Sequence, residues 1–368
     1  MRSRTLVALL LLLVPSFAAT AAVTRLFHEH ERALAAERFA RGEAALSRGD
    51  PKAAVEELRT ALSLYHVSPP TRLRLAQALA AAGRPGEARS HLLTLRDQQP
   101  GNAVVNLELA RLAAAGGDMA EAVRSYRAAI EGAWDTDAER HRRETRLELA
   151  DLLVRTGDVA RAQAELTVAT TDLPDDPAVR VRVAALLSRV GAHDRALDTY
   201  RGALALAPRD SAALAGAGHE ALALARYATA RSYLASALAR DPANESVRAE
   251  LATLSAMAML DPYARGLRAT ERARRAHDAW GYAGARLVAC LAGSADPGAA
   301  DLASLLEQWR QRDAETTTAA LASEPDRLDD TMDLVVAVEE KTRASCGEPA
   351  GVDRALLLIG RDRRAVER

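Results

Sequence analysis

The stretch AVVNLELARLAAAGGDMAEAVRSYRAAIEGAWDT, residues 103–136, decides the fold. It carries a small residue, Ala110, and then a turn marker seven residues on, Gly117-Asp118. Ala122 follows five residues after the marker, Tyr126 four later, and Ala129 three further on. Small residues at these places let two helices approach closely, and the large residue fills the gap beside them. The stretch reads as one helix–turn–helix unit.

The same spacing recurs on both sides. Turn markers stand at Gly49-Asp50, Gly83-Arg84, Gly117-Asp118, Gly157-Asp158, Gly191-Ala192 and Ala225-Arg226, separated by 34, 34, 40, 34 and 34 residues. The long interval fits a six-residue insert near Asp137–Arg142. Alanine follows each marker at 54, 88, 122, 162, 196 and 230, and the large residue at Leu58, Leu92, Tyr126, Leu166, Tyr200 and Leu234. Small residues precede the turns at Gly42, Ala76, Ala110, Ala150, Ala184 and Gly218. Pro100, Pro174, Pro208 and Pro242 close four of the six units, because proline cannot continue a helix. A period of this length marks a stacked array.

The pattern resembles the tetratricopeptide repeat family in its period and in its small, large, small and proline positions. The resemblance covers 35–68, 69–102, 103–136, 143–176, 177–210 and 211–244, with 245–260 as a capping helix. The usual aromatic near the start of each first helix is replaced by Arg38, Arg72, Asn106, Arg146, Arg180 and Leu214. The implied fold is all-α: a right-handed superhelix over 35–262, then a helical domain over 263–368.

The resemblance also implies a concave groove, lined by first helices, that binds partner peptides or helices. Its first column reads Phe39, Leu73, Leu107, Leu147, Val181 and Ala215. The second reads Glu43, Gln77, Arg111, Asp151, Ala185 and His219. The first column suits an apolar or amphipathic segment, unless it only packs helix on helix or is covered by the chain's own terminal helix. The second lacks the Asn with which the family's carboxylate clamps hold chaperone C-termini. Replacing Leu107 and Leu147 by Asp is expected to abolish capture while leaving the array folded.

Composition agrees with helices. Ala, Leu and Arg dominate, and the 368 residues hold only 3 Trp, 7 Tyr and 3 Phe, too few β-branched and aromatic residues for a sandwich. A balance of 49 Lys+Arg against 50 Asp+Glu gives no field that would gather nucleic acid.

At the N-terminus, Arg2 and Arg4 precede an uncharged run, Thr5–Val23, just under about 30 Å long as a helix. Over residues 1–24 two readings stay open. One is an uncleaved anchor with the repeats on the periplasmic side of the inner membrane. The other is a signal peptide, with Pro15 as breaker, cut near Ala21 after Ala19-Thr20-Ala21 to release a periplasmic protein. Residues 25–34 link this segment to the array.

Beyond Asp261-Pro262 the period stops, and four helical stretches are expected at 266–292, 298–322, 326–344 and 352–365. Arg265, Arg268, Arg272 and Arg275 are expected to share one face, and Asp326, Asp330 and Asp333 another, both as solvated or mutually paired charges, the alternative being a basic face for anionic lipid or a partner. Cys290 and Cys346 could form a disulfide in an exported chain, the alternative being buried free thiols. Several segments look like the tail of bacterial membrane-linked repeat proteins of unassigned function. They are Asp261-Pro262-Tyr263, Arg272–Arg275, Arg286–Cys290 and Cys346-Gly347-Glu348-Pro349 through Ala355-Leu356-Leu357-Leu358-Ile359, together with Trp134-Asp135.

Catalytic motifs do not emerge. No P-loop or G-x-S-x-G occurs, Gly216-Ala217-Gly218 lies inside a repeat helix, and Ala223 stands where a zincin after His219-Glu220 needs His. His28 and His30 form only a lone H-x-H pair. The expectation is a non-catalytic protein-binding scaffold of the cell envelope, with no cofactor, metal, nucleic acid or small-molecule substrate. Alternatives are an accessory factor for envelope polymer or protein secretion, and an enzyme without a recognisable motif.

Overall fold

The computed structural model of the chain describes residues 2–293 and 299–366, with backbone alone for 2–16, 18, 19, 299 and 366. Among the described residues there are eighteen α-helices and no strand. The chain divides into two compact units, Met1–Thr171 and Asp172–Arg368.

The first unit holds four hairpins: α1 (Arg2–Ser47) with α2 (Pro51–Leu64), α3 (Pro69–Ala81) with α4 (Pro85–Gln98), α5 (Ala103–Ala115) with α6 (Met119–Glu131), and α7 (Ala138–Arg155) with α8 (Val159–Ala169). Each helix packs on the next, and α3 also touches α1 and α5, the contact between first helices that a repeat stack requires. The second unit continues the hairpins with α9 (Pro177–Arg189), α10 (His193–Leu206), α11 (Ser211–Ala223) and α12 (Tyr227–Arg240), then the cap α13 (Glu245–Leu260).

The repeat residues do what their sizes require. Ala54, Ala88, Ala122, Ala162, Ala196 and Ala230 are fully buried, and the large residues that follow them are buried as well. Five turn glycines, at 49, 83, 117, 157 and 191, adopt φ between 74° and 80°, left-handed backbone that only glycine takes without a clash. Asp50, Asp118 and Asp158 then accept hydrogen bonds from the backbone N–H groups of Ala53, Glu121 and Arg161, capping the second helix of their hairpins. The slot that lacks an aromatic has another use in several repeats. Asn106 and Arg180 donate to the carbonyls of Pro100 and Pro174, at 2.9 Å each, and Arg248 donates to that of Pro242. The start of one hairpin thereby satisfies a carbonyl of the loop that leads into it.

The sequence period sets a boundary near residue 262, whereas packing sets it at Thr171/Asp172. The reason is the chain end. After α14 (Ala269–Gly293), α15 (Ala299–Asp313), α16 (Thr318–Ser323) and α17 (Pro325–Cys346), helix α18 (Gly351–Val366) returns to pack on α13. One apolar cluster runs from Ala184 through Leu254 and Trp280 to Ile359. The expected helix 298–322 is two helices. Thr316 Oγ1 donates to the Asp313 carbonyl and Thr317 caps α16, and such hydroxyls compete with helix continuation. The arginine face is also smaller than expected: α14 begins at Ala269, so only Arg272 and Arg275 ride on it, and both bind backbone carbonyls. Residues 294–298, including the first residue of the expected 298–322 stretch, lie outside the described residues.

Most of the Thr5–Val23 run lies where only backbone is described, and that backbone is helical within α1. Among the described residues no helix is long and apolar enough to cross a membrane.

Candidate functional site

The groove residues named from the sequence fall into two kinds. Leu107 and Leu147 are core, 8% and 2% exposed, because neighbouring alanines draw the helices close. Phe39, Leu73 and Val181 are half-buried, and Asp151 is half-buried beside Arg155 at 3.0 Å. The apolar column is therefore not a continuous open stripe. With Leu107 and Leu147 inside, Asp at those positions would unfold the array rather than test capture.

The second column forms a polar ladder that the sequence reading missed. Glu43 pairs with Arg74 at 2.9 Å, Gln77 donates to Glu108 at 2.9 Å, and Arg111 clamps Glu148 with two bonds of 2.6 and 3.0 Å. The bond to Glu148 holds the Arg111 guanidinium above its usual value, against its own burial. The signal was available. Glu43, Gln77 and His219 each meet the residue 31 places on, and Arg111 the residue 37 places on across the insert, on the next first helix. The second unit repeats the motif with His219, whose Nδ1 lies 2.7 Å from Glu250. The bond to Glu250 holds this imidazole above its ordinary value, with burial opposing. Beside it, buried Glu220 receives Ser188 Oγ at 2.5 Å and lies 2.7 Å from His193 Nδ1. These bonds fix one first helix on the next, so the inner face of the first unit meets its own polar groups.

The second unit also leaves apolar surface open. Two adjoining cavities of about 620 and 670 Å³ share Tyr282 and Ala285 on α14. The first is walled by Met259 and Leu260 of α13 and by Val352 of α18; the second ends at Cys290 and Cys346. Met259 and Tyr282 are 60% and 50% exposed, large values for such side chains. At the far end Cys290 and Cys346 form a disulfide with Cα atoms 5.9 Å apart, and Cys346 is exposed.

Beneath that end lies a strained charge cluster. Arg286 donates to Thr342 Oγ1, Asp353 Oδ2 and the Gly347 carbonyl at 2.8, 2.6 and 3.2 Å. Its Nε also stands 3.2 Å from Glu339 Oε2, but that nitrogen has only one hydrogen and spends it on Thr342. Glu339, fully buried, is left without a hydrogen-bond donor on either oxygen. Burial first, and then the Asp353 carboxylate, push its carboxyl up to about 8, against the pull of Arg286. Among the described residues no cluster of three or more His, Cys, Asp or Glu is placed to hold a metal ion.

Stacked helical hairpins with a recurrent small-residue interior and glycine turns define a helical-repeat protein. Tetratricopeptide repeat family models match residues 45–103 and 147–211, so these stretches carry tetratricopeptide repeats. No curated protein matches the sequence. Among solved structures it is similar to PilF of Pseudomonas aeruginosa, at 18% identity over 60% of this chain and 96% of that one, with a TM-score of 0.44. It is also similar to the C-terminal part of a TPR repeat-containing protein from Cytophaga hutchinsonii, at 12% identity over 65% and 92% of the two chains and a TM-score of 0.49. PilW, described as a type IV pilus biogenesis factor, is 16% identical over 59% and 98%, with a TM-score of 0.45.

Proposed function

We propose that this protein is a non-catalytic scaffold of the cell envelope that captures an apolar segment of a partner protein along α14. One observation carries the reading. The first unit's inner face meets its own polar groups, while the cleft on α14 keeps Met259 and Tyr282 uncovered. A partner helix or extended segment that buries them gains roughly 25 cal/mol per Å² of apolar area removed from water. Envelope location is supported by the Thr5–Val23 run behind two arginines, by the exposed Val23 at its end and Leu26 and Phe27 just after it, and by a disulfide, which persists in oxidising compartments. In this reading residues 1–24 tether the chain and the repeats project from the membrane on the periplasmic side.

The test is cross-linking with mass spectrometry in intact cells, comparing wild type with Met259→Asp and Tyr282→Asp. Both side chains are at least half exposed, so the fold is expected to survive. Cross-links from α14 are expected to disappear in both variants while the melting curve stays unchanged. An unaltered set of cross-linked partners would remove the cleft from consideration.

A further inference from the structure

We infer that the cleft between the end of α17 and the outer face of α18 binds a multivalent oxyanion of the phosphate-ester class. The cleft, about 490 Å³, is lined by Arg343, Arg354, Arg361 and Arg364 against two acids, Glu340 and Glu348. Three of the arginines come from one helix at spacings of seven and three, which places them on one face.

Their partners do not neutralise them evenly. Arg364 pairs with Glu340 at 2.6 Å and Arg343 with Glu348 at 3.2 Å. Arg361 donates to the Tyr227 hydroxyl at 3.1 Å and stands 3.6 Å from its neighbour Asp362. Arg354 is half-buried, yet no hydrogen bond or ion pair joins it to any described residue. A partly desolvated guanidinium without a counter-charge is costly unless an anion completes it. The fork of N–H donors on each arginine matches phosphate oxygens two at a time, and several forks around one space favour an anion with more than one charge. The volume exceeds what a lone carboxylate fills, and buried Pro349 with Leu357 and Leu358 gives the cleft an apolar wall for the carbon part of an ester. A free phosphorylated small molecule and a phospholipid headgroup share this chemistry.

The experiment is calorimetric titration of the full chain with pyrophosphate, with ionic strength held constant by sodium chloride. Wild type is expected to bind at one site. Arg354→Gln is expected to weaken the dissociation constant about tenfold, the loss of a charge-assisted pair. Glu348→Gln, at a side chain 80% exposed, removes a competing carboxylate and is expected to tighten binding about threefold without touching the fold. Sedimentation with phosphatidylcholine vesicles, with and without phosphatidic acid, separates the sources. Extra sedimentation on phosphatidic acid that requires Arg354 and is competed by pyrophosphate assigns a headgroup. Pyrophosphate binding without that extra sedimentation assigns a free phosphate ester. No heat with pyrophosphate, or binding that neither substitution changes, overturns the inference, and Glu348→Gln alone decides it if Arg354→Gln fails to fold.

Discussion

A methyl group has no room at Gly216. A Cβ there would lie 2.2 Å from the Tyr200 ring, which is buried and cannot swing away cheaply. Gly216→Ala gains helix propensity of about 1 kcal/mol, but an approach of 2.2 Å to a buried ring puts the overpacking cost in the upper part of its range, about 2–3 kcal/mol, so a net loss of about 1–2 kcal/mol is expected in urea denaturation. At Glu339 the interest lies in pH. Its carboxyl is raised to about 8 in the fold and titrates near its usual value when unfolded, so the protonated form belongs to the native state. Its contribution is fully present below the unfolded value and is lost as pH rises toward about 8, with a slope of at most about 1.4 kcal/mol per pH unit. Glu339→Gln keeps the neutral shape, so the difference in stability between variant and wild type is expected to widen from pH 5 to pH 8, the variant gaining. A constant difference across denaturation curves over that range would show that Glu339 is ionised in the fold. Neither residue was legible beforehand. Gly216 stands in the sequence as half of a stray G-x-G, and nothing in the sequence singles out Glu339, because burial depends on which helix returns to cover it.

The helical hairpin is the element that the sequence displays best, and its turns show why. A left-handed residue is required at each one, and glycine supplies it five times in register; the sixth turn has Ala225 at φ 58°. Left-handed backbone costs a residue with a Cβ roughly 1–2 kcal/mol, partly offset by the freedom glycine regains when unfolded. Ala225→Gly is therefore expected to stabilise the second unit by about 0.5–1 kcal/mol, seen as a higher thermal midpoint; a lower midpoint would mean that the strain is absent. The same register explains how Ala54 and its equivalents could be named as core from spacing alone. What spacing could not give was the use of Asn106, Arg180 and Arg248 as ties to the prolines six residues before them, since those bonds depend on the path of the connecting loop. Nor could it give the break between α15 and α16, where apolar periodicity continues but threonine hydroxyls capture the backbone.

At the scale of the whole molecule, the 34-residue period runs through Thr171 without notice, yet the chain forms two compact units, each with its own apolar clusters. A repeat array must end on something other than a bare apolar face, and here α18 covers the cap α13. That return depends on the joint between α17 and α18, where the disulfide and the bonds of Arg286 to Gly347 and Asp353 act together. The bond closes a loop spanning 56 residues, which in the chain-entropy account stabilises the folded unit by roughly 4 kcal/mol. Cys346 is exposed, so a thiol reductant can reach it without prior unfolding. Reduction with dithiothreitol is therefore expected to lower hydrogen-exchange protection in α13, α14, α17 and α18 together, because they share one core. Amides of α3 to α6, in the other unit, are expected to keep their protection. A uniform fall along the chain would mean that the two units unfold as one, and no fall anywhere would mean that the Arg286 bonds suffice to hold the joint.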